Sequence, residues 1–238
     1  MKLDVVLIAQ EVRPSQVLGR TAIVIDVLRA TSSITTALAN GCRAVRPVVS
    51  TEEAFALAQS SEPGTFLLTG ERGGLKVEGF DLGNSPREYS ADVVAAKTII
   101  MTTTNGTLAI KNSSPAKTVL LACLLNGRSV ARRAVLSGDD ITMVCSGTEG
   151  IFTLEDAYCA GMLAEEISRV AETEPTDMAL ACRLIYQRYC DDPLGLMESA
   201  IHGQKLRRIG FGEDLVYCSQ KNVLAVVPVL RGDSVVAL

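Results

Sequence analysis

Asp26 and Arg29 are the residues around which chemistry can be built, in the stretch Ile23-Val24-Ile25-Asp26-Val27-Leu28-Arg29-Ala30-Thr31-Ser32-Ser33. A carboxylate at that place can hold a cation or accept a proton. A guanidinium three residues on is matched by its planar fork to a phosphate or a carboxylate. The pair therefore reads as the floor of an anion-handling site. The plainer reading is an Asp–Arg pair that fixes a strand–helix turn. Three further stretches carry polar side chains in the same style. Gly70 to Pro86 is rich in glycine and strings Glu71, Arg72, Asp81, Asn84 and Ser85 through a segment without clear periodicity, as a functional loop does. It ends in Ser85-Pro86-Arg87-Glu88, which has the pattern of a capped helix start. Thr102-Thr103-Thr104-Asn105-Gly106-Thr107 and Ser146-Gly147 through Glu155-Asp156 complete the set.

These residues need elements to position them. The β-branched run Ile23 to Ile25 has the composition of a strand buried on both faces, and in an open α/β sheet ligands sit beyond the carboxyl ends of such strands. Strands are expected at Leu3–Ile8, Ala22–Ile25, Ala44–Val49, Thr65–Thr69, Thr98–Thr102, Thr118–Ala122 and Ile141–Cys145, with Leu224–Leu230 and Val235–Leu238 in the tail. Helices are expected at Thr31–Asn40, from the Ser50 cap through Ala58, to Ile110, over about 127–135, from Thr153 along a long apolar face, over 177–189, and as one further helix over 194–208. Setting Asp26-x-x-Arg29-Ala30-Thr31 against Thr102-x-x-Asn105-Gly106-Thr107 brings both polar tips into register and suggests a duplication. The expected organisation is a first α/β half over 1–96 and a second over 97–238 that carries the C-terminal helices and strands, the two being parts of one continuous domain or separate units.

Composition narrows the function classes. The chain has 238 residues and is 47% hydrophobic but 4% aromatic, without tryptophan, so its core must be aliphatic. That apolar excess predicts a subunit interface and hence a homo-oligomer, with a dimer favoured. A net charge of -4 without a basic stripe argues against nucleic acid as a partner. No run approaches the roughly eighteen apolar residues of a membrane span, and Met1 to Ala9 reads as a first strand. Seven scattered cysteines lack a Cys-x-x-Cys pair, and one histidine cannot complete a Cys/His metal cluster. Reduced thiols and a cytoplasmic location follow.

Absent motifs narrow the chemistry further. Neither the phosphate-binding loop nor the dinucleotide fingerprint occurs. Cys123 is followed by Arg128, one place short of a cysteine-phosphatase spacing, and Leu28 stands where a phosphoaspartyl enzyme needs a second aspartate. Attack by water assisted by a metal ion remains as the simplest phosphoryl-transfer route.

Taken with Gly70-Glu71-Arg72, Gly79-Phe80-Asp81-Leu82-Gly83-Asn84-Ser85-Pro86, the threonine-rich block at 102–107 and the Ser146 to Asp156 stretch, the Asp26–Thr31 block resembles the 2-phosphosulfolactate phosphatase family over nearly the whole chain. The resemblance implies a three-layer α/β/α fold, a mixed sheet with two similar halves. It also implies a magnesium-dependent hydrolase that converts 2-phospho-3-sulfolactate, or a related 2-phospho-hydroxy acid, to sulfolactate and phosphate in coenzyme M biosynthesis. On that footing Asp26, Arg29 and Glu71 are the catalytic candidates. Arg29, Arg72, Arg87, Asn84, Thr103 and Asn105 are candidates for binding the small anionic substrate. Asp26, Glu71, Asp81 and Asp156 are candidate Mg2+ ligands, since that ion requires oxygen donors. Two other functions compete: a hydrolase using Cys145 with Asp26, and a sensor that binds an organic anion without turnover.

Overall fold

The computed structural model describes all 238 residues, Met1 to Leu238. The first part of the chain runs through β1 (Lys2–Val6), α1 (Pro14–Val17), β2 (Thr21–Ile25), α2 (Ala30–Ala39), β3 (Ala44–Val48), α3 (Thr51–Gln59), β4 (Phe66–Arg72) and β5 (Leu75–Lys76). It continues with α4 (Ala91–Val94), β6 (Thr98–Thr102), α5 (Gly106–Ser113), β7 (Thr118–Ala122), α6 (Gly127–Val135), β8 (Ile141–Cys145) and α7 (Leu154–Ser168). The remainder forms β9 (Glu174–Pro175), α8 (Asp177–Tyr189), α9 (Pro193–Ser199), α10 (Ile201–Arg208), α11 (Gly212–Cys218), β10 (Pro228–Arg231) and β11 (Ser234–Ala237).

All eleven strands join one mixed sheet in the order β5-β4-β6-β3-β11-β10-β7-β2-β8-β1-β9. Strands on either side of residue 97 interleave in it. The block β1, β8, β2, β7 is parallel, as is the block β3, β6, β4. The C-terminal hairpin of β10 and β11 lies between them and pairs antiparallel with both. Three antiparallel junctions in succession make the two blocks run in opposite senses.

Alternation along the strands builds the three-layer α/β/α arrangement. In β2, Ile23 and Ile25 belong to a core shared with α6, α7 and α8, which contribute Val130, Ala131, Ala157, Leu163, Ala179 and Cys182. Ala22 and Val24 face the other way, onto Ile34 and Leu38 of α2 and Ile110 of α5. That second core also takes Val45, Leu67, Ile99 and Met101 from the opposite block, so the sheet curls around α2 and α5. On the outer side of that block, Val48, Leu68 and Ile100 pack on Ala54 of α3. Every residue of β2 and all of α2 up to Leu38 is buried, which explains the unbroken apolar and small-residue composition there.

Three local expectations are corrected. The loop expected from Gly70 begins as strand, because β4 extends to Arg72 and turns back as β5. The cap expected at Ser85 is a single 3-10 turn over Pro86–Glu88 in which the serine caps nothing. The helix expected over 194–208 is two helices, broken at Ala200, whose backbone is extended.

Candidate active site

The N-termini of α2 and α5 meet beyond the end of β2. A Cβ placed on Gly106 would come within 2.5 Å of Asp26 Oδ2 and would strike Ala30 Cβ, so only glycine allows this approach. Ala30 and Gly106 are the two residues that the internal register sets opposite one another. The hydroxyl-rich start of α2 closes the Asp26 turn. The Asp26 N–H donates to Thr31 Oγ1 at 3.0 Å, the Thr31 hydroxyl donates to the Asp26 carbonyl at 2.8 Å, and the Ser32 hydroxyl donates to the Val27 carbonyl at 2.8 Å. The Ala30 N–H donates to Asp26 Oδ1 at 3.2 Å. Asp26 is 8% exposed, and burial pushes the pKa of its carboxyl from 3.8 to about 6. The Ala30 N–H and His202 pull it down, while Glu71 and Glu155 add to the rise.

Glu71 reaches the same place from the end of β4. Gly70 lies beside Thr102 of β6 with φ near +149°, and a side chain there would collide with the Thr102 carbonyl. The next residue, Glu71, accepts the Thr104 N–H on Oε1 and the Gly74 N–H on Oε2, both at 2.8 Å. It therefore ties the β4–β5 turn to the loop after β6.

Arg29 lies beside Asp26 but is not its partner. Its Nη1 donates to Asp214 Oδ2 at 2.8 Å, its Nη2 donates to the Gly74 carbonyl at 2.6 Å, and its guanidinium lies 4.2 Å from the centroid of Phe211. Ser85, which caps nothing, donates its hydroxyl to Asp214 Oδ1 at 2.6 Å. Arg29 and Asp214 are both almost fully buried. The ring and the ion pair fix the guanidinium plane, and two of its donors are committed.

One polar cleft gathers these groups. Asp26, Arg29, Glu71, Asn84 and Asn105, all candidates from the sequence, line it together with Gly74, Thr104, Thr148, Glu149, His202 and Lys205. Its volume is about 30 Å3, room for an ion or a water at the floor. Asn84 is buried with Oδ1 unpartnered, and Asn105 Oδ1 accepts the Glu149 N–H at 3.1 Å.

The other candidates lie elsewhere. Arg72 is exposed and donates to the Glu71 carbonyl and to Thr102 Oγ1. Arg87 is exposed on the 3-10 turn. Thr103 is buried, and its Oγ1 accepts the Thr107 N–H in the first turn of α5. Asp81 is exposed and accepts the Leu68 N–H at 2.8 Å, a turn residue bonded to nearby backbone. Asp156 is buried behind the Asp26 turn, where its two oxygens accept the Val27 and Gly147 N–H groups. Burial, and then Asp26 and Glu155, hold its pKa well above the ordinary range. Cys145 is a correction to the competing hydrolase: it is 1% exposed in the outer core, and burial holds the thiol far from ionisation.

Three polar residues of the cleft or its support, Lys205, Asp214 and His202, escaped the sequence reading. Lys205 pairs with Glu149 at 3.0 Å, and Asp214 anchors Arg29. His202 Nδ1 lies 3.1 Å from Glu155 Oε1 and 3.2 Å from Thr148 Oγ1. That histidine is the chain's only one, which was the available signal.

The profile of the family described as 2-phosphosulpholactate phosphatase matches residues 6–233. A protein of Clostridium acetobutylicum named "Probable 2-phosphosulfolactate phosphatase" is 43% identical over 230 residues, covering 96% of this chain and 97% of its own. Proteins of the same name are 38% identical in Clostridium novyi, over 96% of each chain, and 43% identical in Caldanaerobacter subterraneus, over 89% and 88%. By the extent of these matches, the chain belongs to the 2-phosphosulfolactate phosphatase family.

Proposed function

We propose that this chain is a magnesium-dependent phosphomonoesterase that hydrolyses 2-phospho-3-sulfolactate, or a related 2-phospho-hydroxy acid, to the hydroxy acid and phosphate. The observation that carries the reading is the convergence of Asp26 and Glu71 at the floor of a polar cleft where two helix N-termini meet. Family membership supplies the reaction class.

The residues present fit a magnesium ion. Such an ion is held by one or two carboxylates, with waters and substrate phosphate oxygens filling the other positions. Asp26 and Glu71 are the two candidate carboxylates that line the cleft; Asp81 and Asp156 do not line it. The rise in Asp26's pKa, to which Glu71 and Glu155 contribute, marks a surplus of negative charge that a dication offsets. Bound magnesium supplies charge neutralisation and Lewis-acid polarisation of the phosphoryl group.

The protein's own groups do the rest. Arg29, clamped by Asp214 and Phe211, presents its remaining donors to the anionic ester without having to be ordered at the moment of reaction. Lys205 adds a second cation at the cleft wall, and Asn84 and Asn105 offer amide contacts to carboxylate or sulfonate oxygens. The seven free cysteines suit a reducing, cytoplasmic setting, and no helix is long and apolar enough to cross a membrane. The test is phosphate release from 2-phospho-3-sulfolactate. Chelation should abolish it and magnesium restore it, whereas full activity after exhaustive removal of divalent ions would remove the metal from the reading.

A further inference from the structure

Glu155 opens α7 as a residue that would ordinarily be solvated, yet it is 1% exposed. Its Oε2 has no hydrogen-bond partner, and its Oε1 has one, the Nδ1 of His202. A buried carboxylate with a single partner is expensive, so the contact with the ring is what compensates it. His202 comes from a different element. The break at Ala200 turns α10 so that His202, Lys205 and Leu206 share the face that lines the cleft. With Nδ1 turned toward Glu155 and Thr148, Nε2 is the ring nitrogen left without a partner, and the ring lines both the cleft that holds Asp26 and Arg29 and the groove beside it. A carboxylate on one imidazole nitrogen and a reaction cleft at the other is the arrangement by which proteins orient a histidine for proton transfer.

We propose that His202 is the catalytic acid that protonates the departing ester oxygen, and that Glu155 is the residue that positions it. The inference rests on the phosphomonoesterase reading and adds a proton donor to it. In the step, the oxygen of water bonds to phosphorus and the bond between phosphorus and the ester oxygen breaks. Its electron pair stays on the alcohol oxygen, which takes the Nε2 proton of His202. Of the two water protons, one remains on the product phosphate and the other passes to solvent, from which the ring is reprotonated. The carboxylate compensates the charge of the protonated ring.

The experiment varies how much the leaving oxygen needs that proton. Wild type, His202→Gln and Glu155→Gln are compared, with magnesium, on 2-phospholactate and on 3,3,3-trifluoro-2-phospholactate. The trifluoromethyl group makes the departing alcohol far more acidic while keeping the phosphate and carboxylate. On 2-phospholactate His202→Gln should lower kcat/KM by about 10²–10³-fold, the range of a general acid. The loss on the trifluoro ester should be at least about tenfold smaller. Glu155→Gln should show the same pattern with a smaller loss. Equal losses on both esters, with or without a shift in the magnesium needed for half activity, indicate a structural or metal-binding role and overturn the proposal. No loss on either ester also overturns it. A wild-type enzyme that releases phosphate from neither ester, nor from 2-phospho-3-sulfolactate, fails the phosphomonoesterase reading itself, a result read before any variant is compared.

Discussion

Asp26 carries a cost of burial at the scale of single residues. Folding moves its carboxyl from 3.8 to about 6 by burying it, so the folded chain holds that proton more tightly than the unfolded one. Between those two values the folded state binds more protons, and stability falls as pH rises through the window. Above about pH 6 the whole cost is present, about 3 kcal/mol for a rise of this size. Asparagine has no charge to bury. In metal-free protein, Asp26→Asn should therefore melt above wild type at pH 8, by about 2–4 °C for each kcal/mol recovered, and close to wild type at pH 4. Magnesium should raise the wild-type melting temperature and leave the variant's nearly unchanged. Thermal melts in chelator at the two pH values decide it, and a variant no more stable than wild type at pH 8 defeats the argument. The sequence showed Asp26 and Arg29 because both follow a strand written in β-branched residues. It did not show that Arg29 answers to Asp214, since the two lie 185 positions apart and only the packing of α11 brings them together. His202 was hidden for a related reason: the sequence reads as one helix over 194–208, whereas the chain breaks at Ala200 and starts α10 anew.

Elements explain why some of the fold was legible and some was not. The strand–helix alternation from β1 to α7 could be read because each strand is a compact apolar run and each helix has a cap or a period. The Ser50 cap is present, with its Oγ accepting the Glu53 N–H at 3.1 Å. Ser85 shows the limit of pattern: Ser-Pro-x-Glu reads as a cap until a buried aspartate claims the hydroxyl. The glycines at 70 and 106 are each required by an approach between distant segments. Gly106 offers the sharper test, because it lies in α5 where alanine is otherwise preferred by propensity. Gly106→Ala should nonetheless lower both the melting temperature and kcat. Its methyl must displace Asp26 Oδ2 and Ala30 Cβ, an overpacking that costs about 1–3 kcal/mol in a close-packed interior. The same substitution at Gly64, a turn with open space around it, serves as the control for activity. A Gly106→Ala enzyme with wild-type activity would mean that the helix N-termini are not held as closely as their register implies.

The whole molecule leaves apolar surface that its own core does not use. Reading the composition gave an aliphatic protein, mean hydropathy +0.25, with a predicted interface, but composition has no address. In the structure Ile201 is 85% exposed, Ile151 67% and Phe152 41%, and they border a groove of about 370 Å3 next to the cleft. Large side chains exposed together in this way mark an interaction surface more often than isolated ones do. A second copy of the chain is the occupant that the composition argument predicts, and a two-fold axis would set each groove against the other. Sedimentation at micromolar concentration should then give a mass near twice 25.3 kDa. Ile201→Glu puts a charge where the partner's apolar side chains must pack, and it should shift the species toward 25.3 kDa without lowering the melting temperature of the monomer, because that side chain touches solvent and not the core. A wild-type protein that sediments as a single 25.3 kDa species refutes the dimer. A dimer that survives Ile201→Glu moves the interface to another face. The exposed Leu180 and Leu184 on α8 are then the next residues to charge, one turn apart on the side opposite its buried Cys182.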